Sequence, residues 1–298
     1  MTKIIDGKKI SQKLKDSLKI EIENINNKFK QVPGLAVVQV GDVAASSVYV
    51  KAKTKAAKEV GIKVFDHCLD SYTSEQDLLN LINDLNYNEE VNGILVQLPL
   101  PKNINEQIVL DSIHPSKDAD GFHPLNVGKL SISKSNNENL LIPCTPLGCL
   151  IMLKDENIEL SGKSAVIIGR SNIVGKPMAQ LLIKESCTVT IAHSKTTGIE
   201  KICNEADILI AAIGKPQIVK KNWVKHGSVV IDVGINRIID NENNTKLVGD
   251  VMFEEVKDKC HAITPVPGGV GPMTIACLLR NTTIAFKKKL KFNPKINF

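Results

Sequence analysis

The segment "SAVIIGRSNIVGKPMAQLLIKES", residues 164 to 186, decides the fold expected for this chain. It begins with a continuous β-branched run, passes through a loop from Gly169 to Gly175, and reaches Pro177, where a helix begins. A strand that leads through glycines into a helix N-terminus directs backbone N–H groups to one point, where a pyrophosphate can bind. The spacing G-x5-G lacks the middle glycine of the dinucleotide fingerprint, so a purely structural turn stays open as an alternative.

Similar apolar runs recur at 35–40, 93–101, 188–192, 207–214 and 228–234. They are continuous and rich in β-branched residues, as is typical of strands buried on both faces of a parallel sheet. Amphipathic stretches of helix length separate them. The pattern predicts an α/β fold with parallel sheets covered by helices.

Two interruptions suggest the domain organisation. Turn residues and a polar loop break the alternation between about 115 and 145, and "ITPVPGGVGPMT" at 263–274 precedes a final amphipathic helix. A chain of 298 residues is long enough for two domains of ordinary size. We therefore expect a domain boundary near residue 143.

Composition excludes several classes of protein. No apolar run is long enough to span a membrane, and "MTKIIDGKKI" has no signal-peptide core, so we expect a cytoplasmic protein. The seven cysteines include no CxxC pair and sit mostly in apolar surroundings, which predicts reduced, buried thiols. No set of residues completes a zinc site, and we predict no metal.

The net charge of +6 lies entirely in residues 280–298, which contain six basic residues and no acid. We interpret this segment as a solvated basic end that follows a helix. No zinc finger, aromatic RNA platform or helix-turn-helix pattern supports nucleic-acid binding, which remains a weak alternative.

The strand after the glycine loop ends in "TIAHSKT", residues 190–196, without a carboxylate. An NAD-preferring site places an acid at this point to accept the ribose hydroxyls. Arg170, Ser194 and Lys195 can instead receive a 2′-phosphate, so the sequence favours NADP. His193 could equally be a strand-end histidine without a ligand role.

Polar residues of the first half form a second candidate site. In "SSVYVKAKTKAAKEVG", residues 46–61, helical spacing puts Ser46, Tyr49 and Lys53 on one face, although a solvated lysine helix is the simpler alternative. Gln97 ends a buried strand, where open α/β sheets bind ligands. "KDADGFHP" supplies Asp118 and Asp120, which could also be turn carboxylates; its spacing does not fit a calcium loop.

Six motifs occur in an order that is far more specific than any one of them. They are "VVQVGDVAASSVYVKAKTKAAKEVGI" (37–62), "GILVQLPLP" (93–101), "KDADGFHPLNVGKL" (117–130), "PCTPLG" (143–148), "VIIGRSNIVGKPMAQLL" (166–182) and "ITPVPGGVGPMT" (263–274). Together they resemble the bifunctional methylenetetrahydrofolate dehydrogenase/methenyltetrahydrofolate cyclohydrolase family, from about Ile5 to the last helix.

This resemblance implies an architecture and a function. It implies a folate-binding catalytic domain at 1–142 plus 273–298, a Rossmann-like NADP-binding domain at 143–272, and a cleft between them. It implies oxidation of 5,10-methylenetetrahydrofolate with NADP and hydrolysis of the methenyl product to 10-formyltetrahydrofolate, in one-carbon metabolism and purine biosynthesis. It also implies a homodimer, and from the composition we expect no nucleic-acid or membrane partner.

The resemblance assigns roles to individual residues. The catalytic set is Lys53, Tyr49 and Gln97. The substrate-binding set is Ser46, Tyr49, Asp118, Asp120, Pro272 and Thr274. The cofactor-binding set is Gly169, Arg170, Ser171, Gly175, His193, Ser194 and Ile235.

Two other enzyme classes share part of this pattern. Short-chain dehydrogenases also use Tyr-x-x-x-Lys, but their glycine loop precedes that pair, whereas here Tyr49 lies 120 residues before Gly169. A monofunctional dehydrogenase is harder to exclude. The presence of both Lys53 and Gln97 favours two activities.

Overall fold

The structure is a computed structural model that describes residues 2–41, 44–133, 139–239 and 244–292; the side chains of residues 44–47 lie outside this description. None of the helices in these ranges has the length and apolar character that crossing a bilayer requires.

Helices and strands alternate along most of the described chain. The α-helices are α1 (Gly7–Phe29), α2 (Ala44–Glu59), α3 (Glu75–Tyr87), α4 (Glu106–Ser112), α5 (Pro124–Ile132), α6 (Cys144–Asp155), α7 (Gly175–Lys184), α8 (Ile199–Asn204), α9 (Phe253–Val256) and α10 (Val270–Lys289). The strands are β1 (Lys3–Ile4), β2 (Gly34–Val40), β3 (Lys63–Leu69), β4 (Gly93–Val96), β5 (Ser164–Ile168), β6 (Thr188–Ala192), β7 (Ile208–Ala211), β8 (Val229–Asp232), β9 (Asn236–Ile239), β10 (Thr245–Val248) and β11 (Ala262–Ile263). Short 3-10 turns occupy Lys221–Trp223 and Lys257–Lys259.

The larger sheet has six parallel strands in the order β1-β11-β8-β7-β5-β6. Its β5 lies between β6 and β7, with Ile168 beside both Ala192 and Ala211. Every residue of β7 and of β8 is buried, which explains why their sequences are continuously apolar. Helix α7 packs against β5 and β6, so the glycine loop between β5 and α7 lies at the carboxyl edge of the sheet.

The smaller sheet has three parallel strands in the order β3-β2-β4. All residues of β2 and β4 are buried, and helix α2 packs against β2 and β3. Val38 and Ile94 pack in one core cluster with Ile82 of α3. This arrangement sets the carboxyl end of β4, and hence Gln97, on one edge of the sheet.

The chain divides into two compact units. The first consists mainly of Met1–Ser11 and Thr145–Thr274, and the second mainly of Gln12–Ile132 with the chain from Ile275 onward. The N-terminal segment belongs to the first unit and not to the domain predicted for it, since residues 1–142 were expected to form one domain. Lys3 of β1 pairs with Ala262 of β11, and this parallel strand pairing holds the N-terminal segment in the six-stranded sheet.

The predicted α/β class with parallel sheets is confirmed, and a strand forms within each of the six apolar runs. Strand β3 was not predicted, because Lys63, Asp66 and His67 interrupt its apolar character at an edge of the sheet. The antiparallel pair β9–β10 was also missed.

The basic C-terminal segment is less solvated than predicted. Lys287 lies within α10 with 3% of its surface exposed and forms an ion pair with Glu21. Lys289 pairs with Glu89 at 2.6 Å. The interpretation as a solvated end is wrong for Lys287, which α10 buries, whereas Lys288, Lys289 and Lys291 are exposed. Residues 293–298 lie outside the described chain.

Candidate active site

The lysines of helix α2 differ sharply in exposure. Lys53 has 5% of its surface exposed, whereas Lys51, Lys55 and Lys58 are exposed. Lys53 shares its helix face with the fully buried Ala57, so its side chain enters the interior of the unit. The alternative of a uniformly solvated lysine face does not hold.

Lys53 contacts two of the residues that were predicted to act with it. Its Nζ donates a hydrogen bond to Oε1 of Gln97 at 3.1 Å and lies 4.8 Å from the centre of the Tyr49 ring. The Gln97 amide in turn donates to the carbonyl of Leu98 at 2.6 Å, which holds its oxygen toward the lysine. The structure therefore brings Lys53, Tyr49 and Gln97 together.

Burial perturbs the ionisable groups around Lys53. It lowers the pKa of Lys53, although Asp120 and Cys144 act in the opposite direction. Burial raises the pKa of Asp120 to about 6, which Lys53 partly offsets and Asp118 increases. An amine with a lowered pKa beside a carboxyl with a raised pKa is typical of a catalytic site.

Asp118 has a different environment from Asp120. It is 2% exposed, and its carboxylate accepts backbone N–H groups from Gly121, Phe122 and His123 at 2.8–3.1 Å and the Asn126 amide at 2.8 Å. These donors occupy both carboxylate oxygens, so Asp118 organises the loop. We therefore do not retain it among the substrate-binding residues.

The glycine loop forms a tight turn of the kind a phosphate site needs. Gly169 has φ +132°, and a Cβ there would lie 2.2 Å from the carbonyl oxygen of Ala212. A Cβ on Gly175 would lie 2.2 Å from the carbonyl oxygen of Gly169. Ser171 Oγ accepts the N–H of Val174 at 3.1 Å and of Gly175 at 3.4 Å. Only glycine fits at 169 and 175, and the first turn of α7 is thereby held against the loop.

Polar groups at the end of β6 lie at the surface. Arg170 and Ser194 are exposed, and His193 is partly buried. Nδ1 of His193 accepts the backbone N–H of Lys195 at 3.2 Å, and the backbone N–H of His193 donates to Thr196 Oγ1 at 2.9 Å, so the histidine shapes this turn. The side chains of Arg170 and Ser194 are compatible with an anionic ligand.

A buried carboxylate, Asp250, holds two loops at the same edge of the six-stranded sheet. It is fully buried, and it accepts N–H groups from Ile213, Gly214 and Lys215 at 2.6–3.0 Å and the Asn236 amide at 2.9 Å. Sequence reasoning missed this residue, because its partners follow β7 and begin β9, 14 to 37 residues earlier in the chain.

Asp232 supports Asp250 from the end of β8. Its carboxylate accepts the N–H of Gly234 at 3.0 Å and those of Asp250 and Val251 at 2.9 Å. Burial raises its pKa to about 7, and the three N–H donors act against that rise. The sequence carried a usable signal, since Asp232 ends a buried strand as a polar residue, much as Gln97 follows one.

Other predicted residues lie within the first unit. Ile235 is 58% exposed, and its Cδ1 lies 3.6 Å from the position a Cβ of Gly271 would take. Pro272 and Thr274 lie in the first turns of α10, whereas a loop was predicted there. Thr274 Oγ1 is 3.0 Å from Oγ1 of Thr145. The side chain of Ser46 lies outside the described residues.

Within the described ranges, no cluster of three or more His, Cys, Asp or Glu side chains is arranged to hold a metal ion. The cysteines are free, and apart from the exposed Cys68 they are buried.

Two family models match most of the chain. The tetrahydrofolate dehydrogenase/cyclohydrolase catalytic domain matches residues 5–120, and the NAD(P)-binding domain of the same family matches residues 143–290. The chain belongs to the tetrahydrofolate dehydrogenase/cyclohydrolase family. This finding confirms the family predicted from the six motifs.

Individual relatives agree with the tetrahydrofolate dehydrogenase/cyclohydrolase assignment. The bifunctional protein FolD of Pelagibacter ubique is 53% identical over 97% of this chain and 99% of its own length. The crystal structure of the bifunctional dehydrogenase/cyclohydrolase FolD from Campylobacter jejuni is 47% identical, with a TM-score of 0.92, over 97% of this chain and all of that one. The Trypanosoma brucei enzyme, solved with NADP and an inhibitor, is 37% identical with a TM-score of 0.93, over 97% of this chain and 99% of that one.

The two family models divide the candidate residues of this family member. Lys53, Tyr49, Gln97 and Asp120 fall in the range of the catalytic domain. The glycine loop at 169–175 falls in the range of the NAD(P)-binding domain. The two clusters therefore belong to segments of different function in this family.

Proposed function

We propose that this chain oxidises 5,10-methylenetetrahydrofolate to the 5,10-methenyl compound with NADP, and then hydrolyses that compound to 10-formyltetrahydrofolate. The observation that carries the proposal is the buried amine of Lys53, held by the neutral amide of Gln97 at 3.1 Å. Membership in the dehydrogenase/cyclohydrolase family and the full-length similarity to bifunctional relatives support both activities. The chain is a bifunctional enzyme of one-carbon metabolism.

A neutral Lys53 suits the dehydrogenase step. Removal of hydride from the methylene carbon leaves a cation that is delocalised over two folate nitrogens. A charged ammonium close by would oppose this cation, whereas burial lowers the pKa of Lys53 and favours the neutral amine. Gln97 orients the amine without the charge by which a carboxylate would raise that pKa.

The same amine suits the cyclohydrolase step. A neutral Lys53 can accept a proton from water or orient it as it attacks the methenyl carbon, and can assist opening to the 10-formyl product. Tyr49, whose ring lies beside the lysine, orients the folate and is assigned no proton.

Asp120 is the residue proposed to bind the pterin. No side chain of the described residues donates a hydrogen bond to the Asp120 carboxylate. The carboxylate is therefore available to accept two N–H groups of the aminopyrimidinone edge. Ser46, Pro272 and Thr274 complete the proposed substrate-binding set.

NADP fits the first unit, because Gly169 and Gly175 leave no room for side chains where backbone N–H groups approach a phosphate. When bound, NADP supplies the acceptor for the hydride. The proposed binding residues are the glycine loop with Ser171, Arg170 and Ser194 for the 2′-phosphate, together with His193 and Ile235.

The test is to supply purified protein with 5,10-methylenetetrahydrofolate and NADP or NAD, and to follow reduced nicotinamide and methenyl product separately. We expect nicotinamide reduction with little methenyl accumulation, and accumulation in a Lys53→Met control. Accumulation in the wild type would indicate the monofunctional alternative. Absence of reduction with either cofactor would contradict the dehydrogenase assignment.

The nucleic-acid alternative is weakened at two positions of the basic segment, because Lys287 and Lys289 pair with Glu21 and Glu89. It predicts DNA or RNA binding that weakens steeply with salt and disappears on removal of residues 287–298. We expect neither.

We also propose a cytoplasmic homodimer. Free thiols are compatible with a reducing compartment. Ile239 and Leu247 lie on one face of the β9–β10 pair and are 73% and 36% exposed. An isolated two-stranded sheet is marginal without a packing partner, and a second copy would supply one. Light scattering at micromolar concentration tests this; a monomer mass would contradict it.

A further inference from the structure

Helix α10 carries a buried amide beside the proposed pterin-binding residue. Asn281 is 0% exposed, and its Nδ2 donates to the carbonyl oxygens of Ala119 at 2.9 Å and Ile142 at 2.8 Å. The Sγ of Cys144 lies 3.5 Å from the same nitrogen, and the Oδ1 of Asn281 accepts from Nη1 of Arg280 at 3.4 Å. Both N–H groups of the amide are thus used to join two distant chain segments.

These two segments enclose Asp120. Cys144 donates its N–H to the Asp120 carbonyl at 3.2 Å and its Sγ to the Ala119 carbonyl at 3.4 Å. Gly121 presses so closely on Ile142 that a Cβ there would lie 2.5 Å from its carbonyl carbon. The backbone on each side of Asp120 is therefore fixed against residues 142–144, and Asn281 ties both from α10.

Among the residues that the structure describes, no side chain donates a hydrogen bond to the Asp120 carboxylate. Its position depends on the backbone that carries it, and that backbone is held by Asp118 from the following residues and by Asn281 at the preceding one. Bidentate recognition of a flat heterocycle tolerates displacement of only about 0.5 Å. A support on the preceding carbonyl thus has a direct effect on binding geometry.

We propose that Asn281 is a positioning residue that sets the Asp120 carboxylate for the pterin ring. This inference deepens the proposed function and rests on it. Asn281 does not contact the reacting atoms; it acts through the Ala119–Asp120 peptide. This inference predicts that loss of the Asn281 amide raises the KM for the folate. The affinity for NADP should stay unchanged, because the glycine loop lies in the other unit.

The experiment measures KM and kcat for methenyltetrahydrofolate hydrolysis, and Kd for NADP, in Asn281→Ala, Asp120→Asn and the double variant. Losing the two donated hydrogen bonds should raise KM about tenfold. If Asn281 acts through Asp120, adding Asn281→Ala to Asp120→Asn should raise KM by less than about twofold more.

Thr283→Ala is the matched control. Thr283 is 0% exposed on the same helix, and its Oγ1 donates a hydrogen bond to the carbonyl oxygen of Leu279, within α10, at 2.8 Å. It should alter the thermal midpoint without altering KM. Asn281→Ser, which keeps one donor, should give an intermediate KM and serves if Asn281→Ala fails to fold.

Independent, multiplying losses in the double variant would overturn the inference. An unchanged KM with a lower kcat and thermal midpoint would also overturn it, since that pattern marks a purely structural role. A wild-type enzyme without either activity would instead refute the proposed function.

Discussion

Replacing Gln97 with Glu tests the central electrostatic argument. The variant places a carboxylate at the position of the amide oxygen, 3.1 Å from the Lys53 Nζ. At an effective dielectric constant of ~20, a charge pair at this distance is worth about 5 kcal/mol. The new carboxylate loses hydration in the same site, which offsets part of that value.

A net preference of roughly 1.4–4 kcal/mol for the charged lysine lowers the ratio of neutral to charged amine by about 10- to 1000-fold at fixed pH. Hydrolysis of methenyltetrahydrofolate near pH 7 should fall with the neutral fraction, by up to that factor. Because deprotonation restores the neutral amine, the lost rate should return as the pH rises. The wild type should show less dependence on pH in this range, since burial already lowers the pKa of Lys53.

The assay follows methenyl absorbance at a series of pH values, with the uncatalysed hydrolysis subtracted. Gln97→Met is the matched control, because it removes the hydrogen-bond acceptor without adding charge. Its loss of rate should be nearly independent of pH. Equal rates for the Glu and Met variants at every pH would refute the reasoning that Lys53 works as a neutral amine.

Three further predictions concern single residues. Lys53→Met should abolish hydrolysis while NADP still binds, and retained hydrolysis would remove Lys53 from its role. Arg170→Ala should weaken NADP by roughly 10- to 150-fold, as expected for a lost charged hydrogen bond, and NAD much less; equal losses in two titrations would show that Arg170 does not contact the 2′-phosphate. Asp120 binds its proton more tightly in the folded chain, since its pKa rises from 3.8 to about 6. Its contribution to stability is therefore greatest below about pH 3.8 and falls, by up to about 3 kcal/mol, as pH rises through about 6. Asp120→Asn should accordingly raise the urea midpoint at neutral pH but not near pH 4; equal gains at both pH values would contradict this.

The fold was largely predictable because strand signals are local. Buried parallel strands such as β7 and β8 need apolar side chains on both faces, so their sequences are recognisable without partners. Edge strand β3 was missed for the same reason, since an edge tolerates charge. Strand β1 has only two residues, and its pairing with β11 joins positions about 260 residues apart.

The candidate site was predictable in its residue types and less so in their roles. Helical spacing put Tyr49 and Lys53 on one face, and the structure adds Gln97 at hydrogen-bond distance. Asp118 and Asp120 are two residues apart and looked equivalent in sequence. Their roles diverge because four donors saturate Asp118, whereas none is given to Asp120 by the described chain.

The sequence by itself determined the α/β class, the glycine loop and the family, since each depends on local periodicity or on motif order. Only the tertiary structure decided which lysine of α2 is buried, which aspartate is available, and that Asn281 and Asp250 support the two sites. Burial and hydrogen-bond partners come from segments far apart in the chain, and a pKa follows from that environment. Local pattern therefore names the groups, and packing determines what each of them can do.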